Sequence, residues 1–400
     1  MKFFASVSQS DAVNYHPKDH PYPFTKSVEN QPAIYWHVYN KDFGIRYQVW
    51  NKNTIKNKEL AESTTKHFQA DNGKFKRIII SHGFGEHLLI YNRLAYELVT
   101  NFKDIEVCIF EYRGSGLCLP VEDLVQEYKL ANVGEIEGCK YSHPLSNDKL
   151  YKAVSMKGET NRVIQLDQLA EFVSFFKKRN GKGQIDIADR ETETILFGHS
   201  LGGQLATEYA LNYLPKTLAK QKKSIKIEDY YLDGLVLCGP LYFLAPSTRP
   251  PSVLISVSKL LSKMIPNVKV DSELAVNEIT NDKQVMAFMT NDFPYLAPCI
   301  GSILMFYQMI SIGEELATEK YYKSLSSKDI SLLPRKITFV HGKEDGVNDY
   351  KGTQKVFNIL SSKFKEGEID LSLSLVENGK HSLFVCDELV FNDFINYISK

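Results

Sequence analysis

A short apolar run, Thr194–Gly198, passes directly into Gly198-His199-Ser200-Leu201-Gly202-Gly203 and then into the helical pattern Gln204–Tyr213. A serine held between glycines at a strand-to-helix junction needs a turn so sharp that a β-carbon at either glycine would clash. Such a turn requires a buried strand feeding a helix that folds back over its own sheet. Further short apolar strands are expected at Lys76–Ser81, Ile105–Tyr112, Gly234–Cys238, Ile337–Val340 and Leu371–Val376, with amphipathic segments such as Leu88–Val99 and Gln165–Phe176 between them. Continuous apolar strands alternating with helices predict an α/β fold, a mostly parallel sheet with helices on both faces.

Around that core the pattern changes in three places. Residues 1–32 are polar and punctuated by Pro17, Pro21, Pro23 and Pro32, which reads as an arm. After it, Ile34–Tyr39 and Phe43–Trp50 flank Asn40-Lys41-Asp42, the pattern of a β-hairpin. A polar insertion from about 117 to 160 carries the turn residues Gly134, Gly138, Pro144 and Gly158 and no legible function. Between Leu241 and Pro334 no core strand is evident, only helical and loop patterns rich in Leu, Met, Phe and Tyr. We therefore expect a core built from 33–241 and 335–400, with 242–334 inserted as a helical cap.

Composition narrows the function. With 48 basic and 48 acidic residues the chain has no net charge to neutralise phosphates, so a nucleic-acid partner is not expected. Six cysteines without a CxxC pair are too sparse for a disulfide scaffold, and Cys108 and Cys238 sit in apolar runs. A reducing, cytoplasmic setting follows. The apolar stretch Phe3–Val7 is too short for a secretory signal. Phe293–Gly313 has no charged residue, but Pro294, Pro298, Gly301 and several polar side chains interrupt it. It is read as a buried or ligand-lining segment rather than a membrane span.

A serine nucleophile needs a base, and the base an orienting acid; in this architecture both lie after Ser200, on loops following later strands. Only His341 and His381 follow Ser200. His341 opens the turn His341-Gly342-Lys343-Glu344-Asp345-Gly346, whose Asp345 sits at a strand's carboxyl end, while His381 follows the Leu371–Val376 strand. The expected set is Ser200 as nucleophile, Asp345 as acid and His381 as base, with Glu344 and Asp349 as competing acids. Two backbone N–H groups are expected to face the oxyanion: Leu201 at the helix start, and Phe84 in the turn Ser81-His82-Gly83-Phe84-Gly85-Glu86-His87.

Taken together, HGFGEH (His82–His87), YRGSG (Tyr112–Gly116), GHSLGG (Gly198–Gly203), HGKEDG (His341–Gly346) and the late His381 resemble the monoglyceride lipases, serine α/β-hydrolases, in their yeast type. The likeness extends to Arg249–Val270 and Glu278–Lys283 and spans about Phe43 to the C-terminus apart from the polar insertion. It implies an α/β-hydrolase fold, the same catalytic assignments and a monoacylglycerol substrate. The chain departs from the family's RGHG-x-S turn, with Ser115 in place of the His and Cys118 in place of the final Ser.

The expected function is hydrolysis of a lipid monoester, with no cofactor and no metal, since no histidine pair has HExxH-like spacing. His82, His87 and His199 are read as supports of the motif loops, and Glu86 as a hydrogen-bonding brace. Phe288, Met289, Leu296, Met305, Phe306 and Met309 are expected to line an acyl channel. Two readings of Val253, Leu254, Val257, Leu260, Leu261, Met264 and Ile265 stay open: cap core, or a surface that dips into a membrane or lipid droplet beside Lys259 and Lys263. Lysophospholipase, thioesterase, other esterase or acyltransferase activity on the same triad, and a silent binding fold, are the alternatives.

Overall fold

The computed structural model describes residues 22–56, 73–142, 144–179, 191–218, 226–290, 299–323, 330–365 and 367–399, with Lys2–Phe3, Ala5 and Leu325 outside these runs. Besides the two-residue strand Leu119–Pro120, the main sheet holds eight strands in one continuous order: β1 (Ile34–Tyr39), β2 (Phe43–Trp50), β3 (Phe75–Ser81), β4 (Ile105–Phe110), β5 (Thr192–His199), β6 (Gly234–Cys238), β7 (Lys336–Gly342) and β8 (Asp370–Val376). Their order is β8-β7-β6-β5-β3-β4-β2-β1. From β4 to β8 all neighbours are parallel, while the β1–β2 hairpin, its pairing with β4 and the pairing of Leu119–Pro120 with β2 are antiparallel. This is the α/β-hydrolase arrangement.

The inner parallel strands, β3 to β7, are largely apolar on both faces because both faces are covered. Ile78, Ile79 and Ile80 of β3 are all buried, but Ile79 joins one core cluster while Ile78 and Ile80 join the other. On one side lie α1 (Asn92–Asn101) and the C-terminal α7 (Glu388–Ile398). The other is covered by α2 (Arg162–Lys178) and α3 (Leu201–Glu208), with Phe172 of α2 stacked on Phe110 of β4 at 4.2 Å between ring centroids. Each such buried side chain contributes ~1.5–3 kcal/mol of transfer free energy. Asn161 starts α2 by accepting a hydrogen bond from the Ile164 N–H, and Asp387 starts α7 by accepting from Val390.

The long β6–β7 connection holds α4 (Ser252–Met264) and α5 (Ile303–Leu316). It also contains strands that the sequence does not reveal: Lys269–Asp271 and Ile300–Ser302 pair with each other and, through the former, with Lys2–Phe3 in a separate three-stranded sheet. At three residues or fewer, these strands are too short to show periodicity. The Phe293–Gly313 stretch divides accordingly: Phe293–Pro298 lie outside the described residues, while Ile303, Met305, Met309, Ile310, Ile312 and Gly313 of α5 are buried. No helix among the described residues is long and apolar enough to cross a membrane.

The 117–160 stretch covers the free edge of β1. Trp36 N–H donates to Cys139 O, Gly138 N–H to Trp36 O and Tyr141 N–H to Ile34 O. An uncovered edge strand invites pairing with another chain, and these bonds remove that liability. Residues Leu117–Ala153 bury a small cluster of their own around Trp36. His37 ties the stretch to the body, its Nδ1 on Glu137 (3.0 Å) and its Nε2 on Glu171 of α2 (2.8 Å).

Candidate active site

The serine turn is as tight as its composition requires. Ser200 joins β5 to α3 with φ 53° and ψ −119°, a conformation that costs an L-residue ~1–3 kcal/mol. A β-carbon on Gly198 would lie 2.6 Å from Gly202 O, and one on Gly202 would lie 2.0 Å from Ser81 O. The second clash is with the loop after β3, so the glycine also lets the Phe84 loop approach the serine. Neither Phe84 nor Leu201 has a hydrogen-bond partner for its N–H among the described residues.

His381 and Asp345 meet across the ends of β8 and β7, with His381 Nδ1 2.9 Å from Asp345 Oδ2. Asp345 Oδ1 accepts from the N–H groups of Val347 and Asn348, both at 2.8 Å. His341 Nε2 also faces Oδ2, at 3.0 Å. Burial alone would raise the Asp345 pKa. The positive character of His381, with the hydrogen bonds from His341 and His381, outweighs it and holds the carboxyl well below the usual carboxylate range. His341 spends its other nitrogen on Thr353 Oγ1 (2.8 Å), whereas His381 Nε2 has no hydrogen-bond partner among the described residues. The competing acids are elsewhere: Glu344 pairs with Lys380, and Asp349 starts α6 (Tyr350–Lys363).

Ser200 and His381 line one cavity of about 840 Å³, but no hydrogen bond joins them. The hydrogen bond on Ser200 Oγ comes from Asn348 Nδ2, at 3.4 Å. Asn348 is fully buried and also donates to Gly239 O at 2.8 Å. Sequence reasoning passed over this residue, although its position three residues after the candidate acid, on the same strand-end loop, marked it.

Glu86 braces the Phe84 loop. Its Oε2 accepts from Gly83 N–H (2.6 Å) and Tyr91 Oη–H, and Oε1 lies 3.0 Å from His199 Nδ1. The other His199 nitrogen faces His381 O at 3.2 Å. Two acceptors on two ring nitrogens suit a doubly protonated imidazole. Burial would raise the Glu86 pKa, yet His199, Tyr91 and the Gly83 N–H push it down to about 2. Burial would likewise lower the His199 pKa, and the Glu86 charge raises it instead. His82 is held neutral by burial, with Nδ1 on Gly83 O and Nε2 accepting from Tyr112 N–H. His87 is buried beside the same loop. In the Tyr112–Cys118 turn, the Cys118 thiol lies 3.2 Å from both Tyr112 O and Ser115 O and ties the turn together.

Of the expected channel residues, Met289, Phe306 and Met309 line the cavity. Phe288 and Met305 do not: Met305 is packed in the core and Phe288 against Tyr22. In α5 Phe306, Met309 and Ile310 reach the cavity, while Met305, about 100° round the helix from Phe306 and at the edge of that face, turns into the core. Leu296 lies outside the described residues. The α4 stripe also divides. Leu254 faces the cavity and Leu261 an adjoining groove, whereas Val253, Val257, Leu260, Met264 and Ile265 are exposed. Among the described residues no cluster of His, Cys, Asp and Glu could hold a metal ion.

Known proteins share this architecture. The monoglyceride lipase of Saccharomyces cerevisiae is 26% identical over 331 residues, 81% of this chain and 84% of that protein. A putative monoglyceride lipase of Schizosaccharomyces pombe is 24% identical over 289 residues, 72% of this chain and 58% of that one. In the crystal structure of a soluble variant of the S. cerevisiae monoglyceride lipase with a substrate analog, 96% of that chain superposes on 95% of this one with a TM-score of 0.62 and 22% identity. The family described as serine aminopeptidase, S33 (Hydrolase_4) matches residues 165–386, from α2 through the Ser200 turn and the whole β6–β7 connection to just past His381. With more than half of its length matched, and the strand-end loops in the order that fold requires, the chain belongs to that family.

Proposed function

We propose that this protein is a carboxylester hydrolase that cleaves monoacylglycerols to fatty acid and glycerol, with Ser200 as nucleophile, His381 as base and Asp345 as the orienting acid. The observation that carries the reading is the free His381 Nε2, in the same apolar cavity as Ser200, with Nδ1 anchored on a carboxylate held in its charged form. Ser200 Oγ attacks the ester carbonyl while His381 Nε2 takes its proton. The N–H groups of Phe84 and Leu201 receive the oxyanion, each such donor contributing ~2.7–4 kcal/mol at the transition state. Glycerol leaves with the proton from His381, and a water then attacks the acyl-enzyme by the same route.

Charge points to the head group. Glu86, Asp271, Glu273 and Glu278 line the cavity, and no Lys or Arg is among the described lining residues. A phosphate or free carboxylate would be repelled there, whereas a glycerol hydroxyl meets acceptors. The apolar wall of Leu254, Met289, Phe306, Met309 and Ile310 suits the acyl chain. We read 242–334 as the cap over that site and the exposed face of α4 as its contact with a membrane or lipid droplet. Incubation with long-chain monoacylglycerol should release fatty acid, and Ser200→Ala should stop it; release unaffected by that substitution would sink the proposal. A faster reaction with a lysophospholipid or a thioester would replace the substrate. Leu260→Asp should lower activity on vesicle-borne substrate several-fold and leave a soluble ester untouched.

A further inference from the structure

Only Glu278 and Ile279 of the run Glu278–Lys283 reach the cavity wall, yet the run as a whole crosses the loop that carries the base. His381 N–H donates to Glu278 O at 3.3 Å and Ser382 N–H to Ile279 O at 2.9 Å. Thr280 Oγ1 donates to Val385 O at 2.7 Å. Asn281 is bonded at both ends of its amide, with Oδ1 accepting from Asp387 N–H (2.9 Å) and Nδ2 donating to Asp387 Oδ2 (2.7 Å). Four consecutive residues thus make five hydrogen bonds to the stretch 381–387. Glu278 also rests on the acid's loop, where a β-carbon on Gly346 would fall 1.8 Å from its Oε2.

The base loop needs such support because of where it sits. It follows β8, the edge strand of the sheet, which is half-exposed along most of its length and has no strand on its outer side among the described residues. An acid–base pair joined by one 2.9 Å bond tolerates little drift, since displacement of ~1 Å can cost ~10²-fold in rate. We propose that Thr280 and Asn281 are positioning residues for the reaction: they dock the β6–β7 connection onto the loop 381–387 and so fix His381 against Asp345. Thr280 is fully buried, and its hydroxyl reaches the carbonyl of Val385 rather than any group in the cavity. The residues immediately before the run, Asp271–Val276, are themselves cavity wall, so the segment that meets the substrate is continuous with the one that holds the base.

The inference rests on the catalytic reading above, and its test separates the two. Thr280→Val keeps the shape and removes the hydroxyl, Thr280→Ser restores it, and Asn281→Ala removes the bond pair to Asp387. On a soluble short-chain p-nitrophenyl ester, Thr280→Val and Asn281→Ala should lower kcat ~10–100-fold with KM within about twofold, and Thr280→Ser should stay near wild type. The downfield proton resonance of the His381 Nδ1–H, identified by its loss in His381→Ala, should shift or broaden in the first two variants and not in the third. This readout needs no turnover. A wild-type protein that does not hydrolyse the ester overturns the catalytic reading while the resonance still decides the docking. An unmoved resonance in Thr280→Val and Asn281→Ala overturns the inference, whether their thermal midpoint falls or not, because bonds that only stabilise the fold would leave the His381–Asp345 contact as it is.

Discussion

Asp345 and Glu86 are both buried carboxylates at the carboxyl end of the sheet, and both face histidine at about 3 Å. Their surroundings separate them. Glu86 is matched with His199, whose second nitrogen is spent on the His381 carbonyl, so that pair is closed and braces three loops. Asp345 faces two histidines: His341, whose other nitrogen is also spent, and His381, which keeps Nε2 for the cavity. Burial and charge are therefore poor guides to which histidine can act as a base. The deciding feature is the nitrogen left without a partner.

That contrast can be broken by exchanging charge for amide at each site. Asp345→Asn should lower kcat by ~10⁴-fold, since the tautomer and orientation of His381 are lost. Glu86→Gln should act on stability instead, costing ~3 kcal/mol of unfolding free energy by leaving His199 without a counter-charge, with a modest loss of rate. Equal effects of both substitutions on kcat would remove the distinction. The Glu86 carboxyl is depressed from 4.5 to about 2, so its contribution is present above pH 4.5 and lost as the pH falls towards 2. Wild type should therefore lose more stability across that window than Glu86→Gln does, as measured by urea titration at each pH.

Smaller effects sharpen the same comparison. Asn348→Ala removes the hydrogen bond on Ser200 Oγ but keeps the backbone bond to Asp345, and should lower kcat by ~10-fold; ester assays that show no change would exclude the amide from the reaction. His37, between Glu137 and Glu171, is a third carboxylate–histidine cluster with both nitrogens spent. Burial would lower its pKa, and the two carboxylates raise it to about 9. Its stabilisation is full below pH 6.5 and fades as the pH rises through 9, so His37→Gln should flatten the stability profile there and leave catalysis unchanged. A fall in kcat would give the 117–160 stretch a role beyond covering the sheet edge.

Much of the sheet was legible because its signal is local. Gly234–Cys238 emerges with the bounds read from its apolar run, and the other parallel strands differ by two residues at most at either end, since an inner strand buried on both faces has to be largely apolar. The hairpin β1–β2 followed from Asn40 and Lys41, which occupy the positive-φ positions of its turn. Helix faces were less legible. Met305 and Phe306 are adjacent apolar residues of one packed cluster, yet Phe306 lines the cavity and Met305 does not, and only the packed neighbours say which is which. The α4 stripe shows the same limit, its residues divided between cavity, groove and open surface.

By itself the sequence determined the order of the strand-end loops and the residue types they carry, because a glycine-bracketed turn or a loop after an apolar strand is set by neighbours in the chain. Ser200, Asp345 and His381 could be singled out on that basis alone. Only the tertiary structure decided what each polar group is paired with: that His199 belongs to Glu86, that His341 shares Asp345, that Asn348 reaches Ser200, and that Asn281 meets Asp387, 106 residues on. Hydrogen bonds reach about 3 Å and ignore sequence distance, so the valences left for chemistry can be counted only after the chain has folded.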